Sequence, residues 1–167
     1  MDDAVGKARA ARNVLERLGA RVPAFSGYLD RELLRDIGQL VRAHIADSLD
    51  ATRASVAAYT RTLHLGAAGR LERLASLGKE LDALANAVRH AGSGYAGVFD
   101  AVKVQQGALE ALYRFYLGLV EDVETVAERA SRLADGDDAM DRLAKAVADV
   151  RRRFEGHDEV VKGLFSE

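Results

Sequence analysis

Apolar residues recur at spacings of three and four along almost the whole chain. Leu71, Leu74, Leu77, Leu81, Leu84 and Val88 form the cleanest run. Such spacing gathers side chains on one stripe only when the backbone has the 3.6-residue period of an α-helix; a half-buried strand would alternate instead. A helix with one apolar stripe has to bury it against other helices. The pattern therefore dictates an all-α chain, and the remaining features decide how many helices there are and where they stop.

The first helix reads from about Asp3 to Leu18, with Ala4, Ala8, Ala11, Leu15, Leu18 and Val22 along one seam. Asp2 and Asp3 suit its positive N-terminal end. Gly19 and the only proline, Pro23, are its stop signals. The connection that follows carries Phe25 and Tyr28, which are expected to fold back onto the end of the bundle. A long second helix reads from about Leu29 to Leu65. Its seam runs through Leu34, Ile37, Val41, Ile45, Ser48, Thr52, Val56, Tyr59 and Leu63. Its middle is polar even on the seam, which predicts weak packing or a buried polar layer.

Gly66 and Gly69 mark a turn into a third helix, about Arg70 to His90. At 1.5 Å per residue the second helix is roughly 55 Å long and the third roughly 32 Å. The third thus falls short of the second, and the irregular stretch 91–104 is expected to cover the difference, with one helical turn near Ala96 to Val102. A fourth helix reads from about Gln105 to Ala134, with Leu109, Leu112, Tyr116, Val120, Val123, Ala127 and Ala130 inward. Asp135-Gly-Asp-Asp138 reads as a turn followed by an acidic N-cap. A fifth helix runs from about Ala139 to Phe165 through Met140, Leu143, Val147, Val150, Phe154, Val161 and Leu164. The seam survives Gly156, so the sequence predicts one continuous helix there. Short turns between amphipathic helices predict an up-and-down antiparallel bundle of about five helices, in one domain over 1–167, with long helices 2, 4 and 5. No repeat period points to a solenoid.

Composition excludes several functions. The formal net charge of −2 gives no general field for nucleic acid or an acidic membrane. The absence of cysteine removes disulfides, thiolate metal sites and thiol nucleophiles. The start of the chain is acidic and has no secretory core, and no apolar run reaches the ~18 residues of a membrane span. A cytoplasmic protein is the expectation.

Motifs for chemistry are missing. None of His44, His64, His90 and His157 is preceded at the third position by Glu, so the Glu-x-x-His pattern of di-iron bundles is absent. His64 and His90 fall at opposite ends of the bundle. His44 beside Asp47 reads as a satisfied boundary histidine. Gly92-Ser-Gly-Tyr-Ala-Gly97 has the dinucleotide spelling, but it follows a helix where that motif requires a strand. Glu124 with Glu128 and Asp137 with Asp141 sit at the spacing of a carboxylate pair, which is also the spacing of a solvated face. Arg151, Arg152 and Arg153 fan over about 200° and do not converge on one phosphate. Asp149 and Glu155 are the expected local partners. No catalytic residue, cofactor or metal is predicted.

The window 90–121 holds five of the ten aromatic side chains: Tyr95, Phe99, Tyr113, Phe115 and Tyr116. Tyr28, His90, Tyr95, Phe99 and Asp100 are expected at one end of the bundle, next to the N-termini of the second and fourth helices. They form the candidate ligand or partner site, or else a hydrophobic plug. The functional expectation is a non-enzymatic bundle acting through protein contacts as a scaffold or adaptor. The overhang of helices of unequal length predicts a homodimer and leaves room for a protein partner; no nucleic acid or membrane span is expected. The alternative is a bundle that binds a small anion or a peptide at the 91–104 end.

Overall fold

The computed structural model describes residues 2–23, 25, 34–91, 106–136 and 138–163. Among these residues the chain is helical, with no strand. The elements are α1 (Asp2–Arg21), α2 (Leu34–Thr60), a short 3-10 turn (Leu65–Ala67), α3 (Ala68–His90), α4 (Gln106–Ser131), α5 (Ala139–Glu155) and α6 (His157–Gly163). The all-α bundle read from the sequence is present.

Four helices close a ring. α2 packs on α3, α3 on α5, α5 on α4, and α4 back on α2. α1 lies against α4 on the outside of this ring, and α6 folds back onto α4. α4 is therefore buried from several directions. This explains why Leu112, Tyr113, Tyr116, Leu117, Leu119, Val120, Val123 and Val126 are all buried, a wider band than a single seam. Ala127, expected to point inward, is exposed. Val126 is buried in its place, and Ala130 is buried as expected.

Side-chain pairs fix the directions. Arg70 donates to the Tyr59 hydroxyl at one end of the α2–α3 pair (3.2 Å). Arg53 meets Asp82 further along (3.4 Å). Arg89 reaches Asp50 at the far end (2.8 Å). These two helices are antiparallel, as short turns require. α4 and α5 are antiparallel too: Asp122 pairs with Arg153, and Thr125 and Arg129 share a shallow cleft with Arg142 and Lys145. Arg153 crosses α4 at Gly118, where a Cβ would stand 2.7 Å from its Nη1. α1 behaves differently. Arg17 meets Glu121 and Arg21 meets Glu124, so α1 and α4 run in the same direction. Twelve residues separate Arg21 from Leu34. That many residues reach roughly 40 Å when extended, about the length of a long helix, so this connection does not impose an antiparallel neighbour.

The helix ends differ from those expected. α1 passes Gly19 and ends at Arg21, where Val22 still bonds to the Leu18 carbonyl. α2 ends at Thr60, before the Leu65 expected, and residues 29–33, where the second helix was expected to begin, lie outside the described residues. Gly156 divides the last helical stretch into α5 and α6. The Asp138 side chain makes no capping bond; it pairs with Arg142 one turn on. Gly136 has φ +122°, a conformation side chains disfavour, and this makes the turn before α5.

The polar middle of α2 is not a layer between helices. Ser48 donates to the His44 carbonyl (2.8 Å) and Thr52 to the Ser48 carbonyl (2.9 Å), so each hydroxyl is satisfied within its own helix. Thr52 can then lie buried among Ile45, Leu49 and Val56 without an orphaned donor. Phe25 is buried, with its ring against Gly19 at the end of α1, as the aromatic connection predicted.

Candidate functional site

The C-terminal half of α3 places Ala83, Ala87 and Ala91 four residues apart, with Leu84 beside them. Small side chains there leave a trough facing the end of α5 and the start of α6. The result is an open cleft of about 740 Å³. Leu84, Ala87 and the half-buried Phe154 give it an apolar wall, and Arg151, Glu155 and Asp158, beside His90, surround it with charge of both signs. His157 also lines it.

His157 is only 2% exposed, and it sits in the bundle through a chain of hydrogen bonds. Arg42 Nη1 donates to Tyr116 Oη at 2.9 Å. Tyr116 Oη lies 3.2 Å from His157 Nε2, and His157 Nδ1 lies 3.2 Å from Asp158 Oδ1. Arginine only donates and a carboxylate only accepts. For the neutral ring that burial favours, the two ends fix the order: Tyr116 accepts from Arg42 and donates its O–H to Nε2, while Nδ1–H donates to Asp158. This is the Nδ1-protonated, neutral imidazole. Its ring stacks on Phe154 (5.5 Å between centroids) and leans on Phe115 (5.9 Å) and Tyr116 (6.0 Å).

Burial pushes the His157 pKa below the ordinary histidine value. The Asp158 hydrogen bond opposes this shift, and the Arg42 charge adds to it. Burial raises the Tyr116 phenol, against the lowering effect of Arg42. Arg42 Nε is buried and has no hydrogen-bond partner among the described residues.

Of the residues singled out from the sequence, His90 lies in this cleft, exposed in the last turn of α3. Tyr28, Tyr95, Phe99 and Asp100 fall outside the described residues, as does the helical turn expected near 96–102. His157 was missed as a site residue, although its signal is in the spacing. Val150, Phe154, 157 and Val161 are separated by four, three and four, so position 157 belongs to the seam. A histidine on a seam needs polar partners, and Tyr116 was already placed inward.

Asp137 lies outside the described residues, and the other carboxylates of the two candidate pairs are occupied by ion pairs. Glu124 binds Arg21, Glu128 binds Arg132, and Asp141 binds Arg73. The three arginines of α5 reach three different elements: Glu80 on α3, Asp149 on α5 and Asp122 on α4. Glu155 is not among these partners. Among the described residues no three His, Asp or Glu side chains converge as metal ligands, and no helix is long and apolar enough to cross a membrane. No protein-family model, curated protein or solved structure matches this chain.

Proposed function

We propose that this chain is a non-enzymatic interaction module that takes a segment of a partner protein into the cleft between α3 and the α5–α6 pair. The observation that carries this reading is the composition of the cleft. An apolar wall with a rim of both charge signs matches the anatomy of a protein-binding surface. The histidine at the cleft supports binding over catalysis, because both of its ring nitrogens are engaged, with Tyr116 and Asp158. Residence in the cytoplasm belongs to the same proposal.

A photo-crosslinking residue at Ala87, in the cleft, tests this against one at Ala58, exposed on α2. The expected result in producing cells is a discrete adduct from position 87 that is missing from position 58 and abolished by Ala83→Arg. An adduct of twice the chain mass would make the partner a second copy. Identical diffuse labelling from both positions would overturn the proposal.

A further inference from the structure

α6 is held differently from the other helices. It has seven residues and begins immediately after Gly156, and its buried side chains are His157 and Val161. One of its two anchors is therefore an ionisable group whose hold depends on an unprotonated nitrogen. We propose that His157 is a proton-operated latch. With Nε2 unprotonated it accepts from Tyr116 and fixes α6 on α4; once protonated it releases α6, which pivots at Gly156 and opens the cleft.

The hydrogen-bond chain gives the reason. Protonated Nε2 becomes a donor aimed at Tyr116 Oη, which already accepts from Arg42. The tyrosine proton then loses its buried acceptor, and a second cation lies within reach of the Arg42 charge. The groups around the imidazole are Arg42 from α2, His90 from α3, Tyr116 from α4, Arg151 and Glu155 from α5, and Asp158 from α6. Asp158 is the carboxylate in contact with the ring. Its side chain is 63% exposed, so water weakens its attraction for the imidazolium. Arg151 is drawn toward Glu80. Desolvation and the Arg42 cation therefore prevail, and the folded arrangement selects the neutral ring. Gly156 supplies the pivot: a Cβ there would meet only the Arg153 carbonyl, at 3.4 Å. α5 keeps its own buried set, Met140, Leu143, Val147 and Val150, and has no need of α6 to stay in the ring.

The test is hydrogen exchange on the intact chain, corrected for intrinsic rates, from neutral pH down through the midpoint at which nuclear magnetic resonance shows the His157 ring taking up its proton. The expected result is loss of protection in 157–163 while 139–150 stays protected. His157→Gln, which keeps an acceptor near Nε2 but does not titrate, should abolish the pH response. His90→Gln should leave it intact. Three results would each overturn the latch: α6 protection unchanged once the His157 ring has taken up its proton, joint loss of α5 and α6, or the same response in His157→Gln. If His157→Gln fails to fold, the wild-type imidazole decides by nuclear magnetic resonance. The Nδ1–H tautomer at neutral pH and a shared midpoint for the ring and the α6 amides are expected. Separate midpoints would overturn the proposal.

Discussion

A Cβ built on Gly38 would stand 3.2 Å from the Tyr116 hydroxyl and 3.1 Å from Arg42 Nη1. α2 carries its glycine where α4 presents the oxygen that joins Arg42 to His157. Glycine in a helix ordinarily costs roughly 0.5–1 kcal/mol relative to alanine, and here the space it leaves holds the hydrogen-bond chain. Gly38→Ala should therefore lower stability despite the better helix propensity, because the fully buried Tyr116 ring has nowhere to retreat. Gly78→Ala on α3, where a Cβ meets nothing within 4 Å, should raise stability by about 0.5–1 kcal/mol. Urea melts of the two variants give opposite shifts on this account; shifts of the same sign would contradict it.

Tyr116→Phe removes a donor and an acceptor together. It leaves His157 Nε2 without its donor and Arg42 Nη1 without its acceptor, at a buried position. An unsatisfied buried group costs roughly 1–3 kcal/mol, so a destabilisation in that range is expected. A change of under about 0.5 kcal/mol, the usual size for a surface site, would mean that the network is not formed in solution.

Stability should fall with acid in a defined direction. The folded pKa of His157 lies below its ordinary value of 6.5. Between those two values the unfolded chain binds more protons, so stability rises with pH there. The contribution is fully present above the unfolded value. It is lost as the pH drops through it toward the folded value. Chemical denaturation at a series of pH values should show this slope in the wild type and a flatter profile in His157→Gln. A wild type that gains stability on acidification in this range would reverse the sign and refute the burial argument.

Leu119 is fully buried at the centre of α4. Leu119→Ala should cost about 2–5 kcal/mol. Ala127 lies on the same helix and is exposed. Ala127→Lys should stay within about 0.5 kcal/mol of wild type. A large effect at Ala127 would show that its face is covered in solution, which would point to self-association along α4; sedimentation of the same variant would then report the oligomeric state.

The local part of this architecture was legible because helical periodicity is written in consecutive residues. The seam of α3 at Leu74, Leu77, Leu81, Leu84 and Val88 is buried as read, and so are Val41 and Ile45 on α2. The same reading placed the turns before α3, at Gly66, and before α5, but took Gly69, which lies inside α3, as part of the first. It erred at Gly156, because apolar spacing continues across a glycine whether or not the helix does. It erred at Ala127, because a helix touched from several sides has no single seam. The candidate site was legible only through His90 and through the seam positions of Tyr116 and His157.

The sequence by itself determined that the chain is helical, where most helices lie, and that no recognised catalytic motif is present. Tertiary structure alone decided that α1 runs with α4, that four helices close a ring, and that Arg42, Tyr116, His157 and Asp158 meet. Residue 42 is separated from residue 116 by 74 positions, and residue 116 from residue 157 by 41. A pattern of threes and fours fixes which face of each helix is buried. It carries no information about which other helix covers that face or at what height, because apolar stripes are interchangeable until side chains of particular shape and hydrogen-bonding capacity come together.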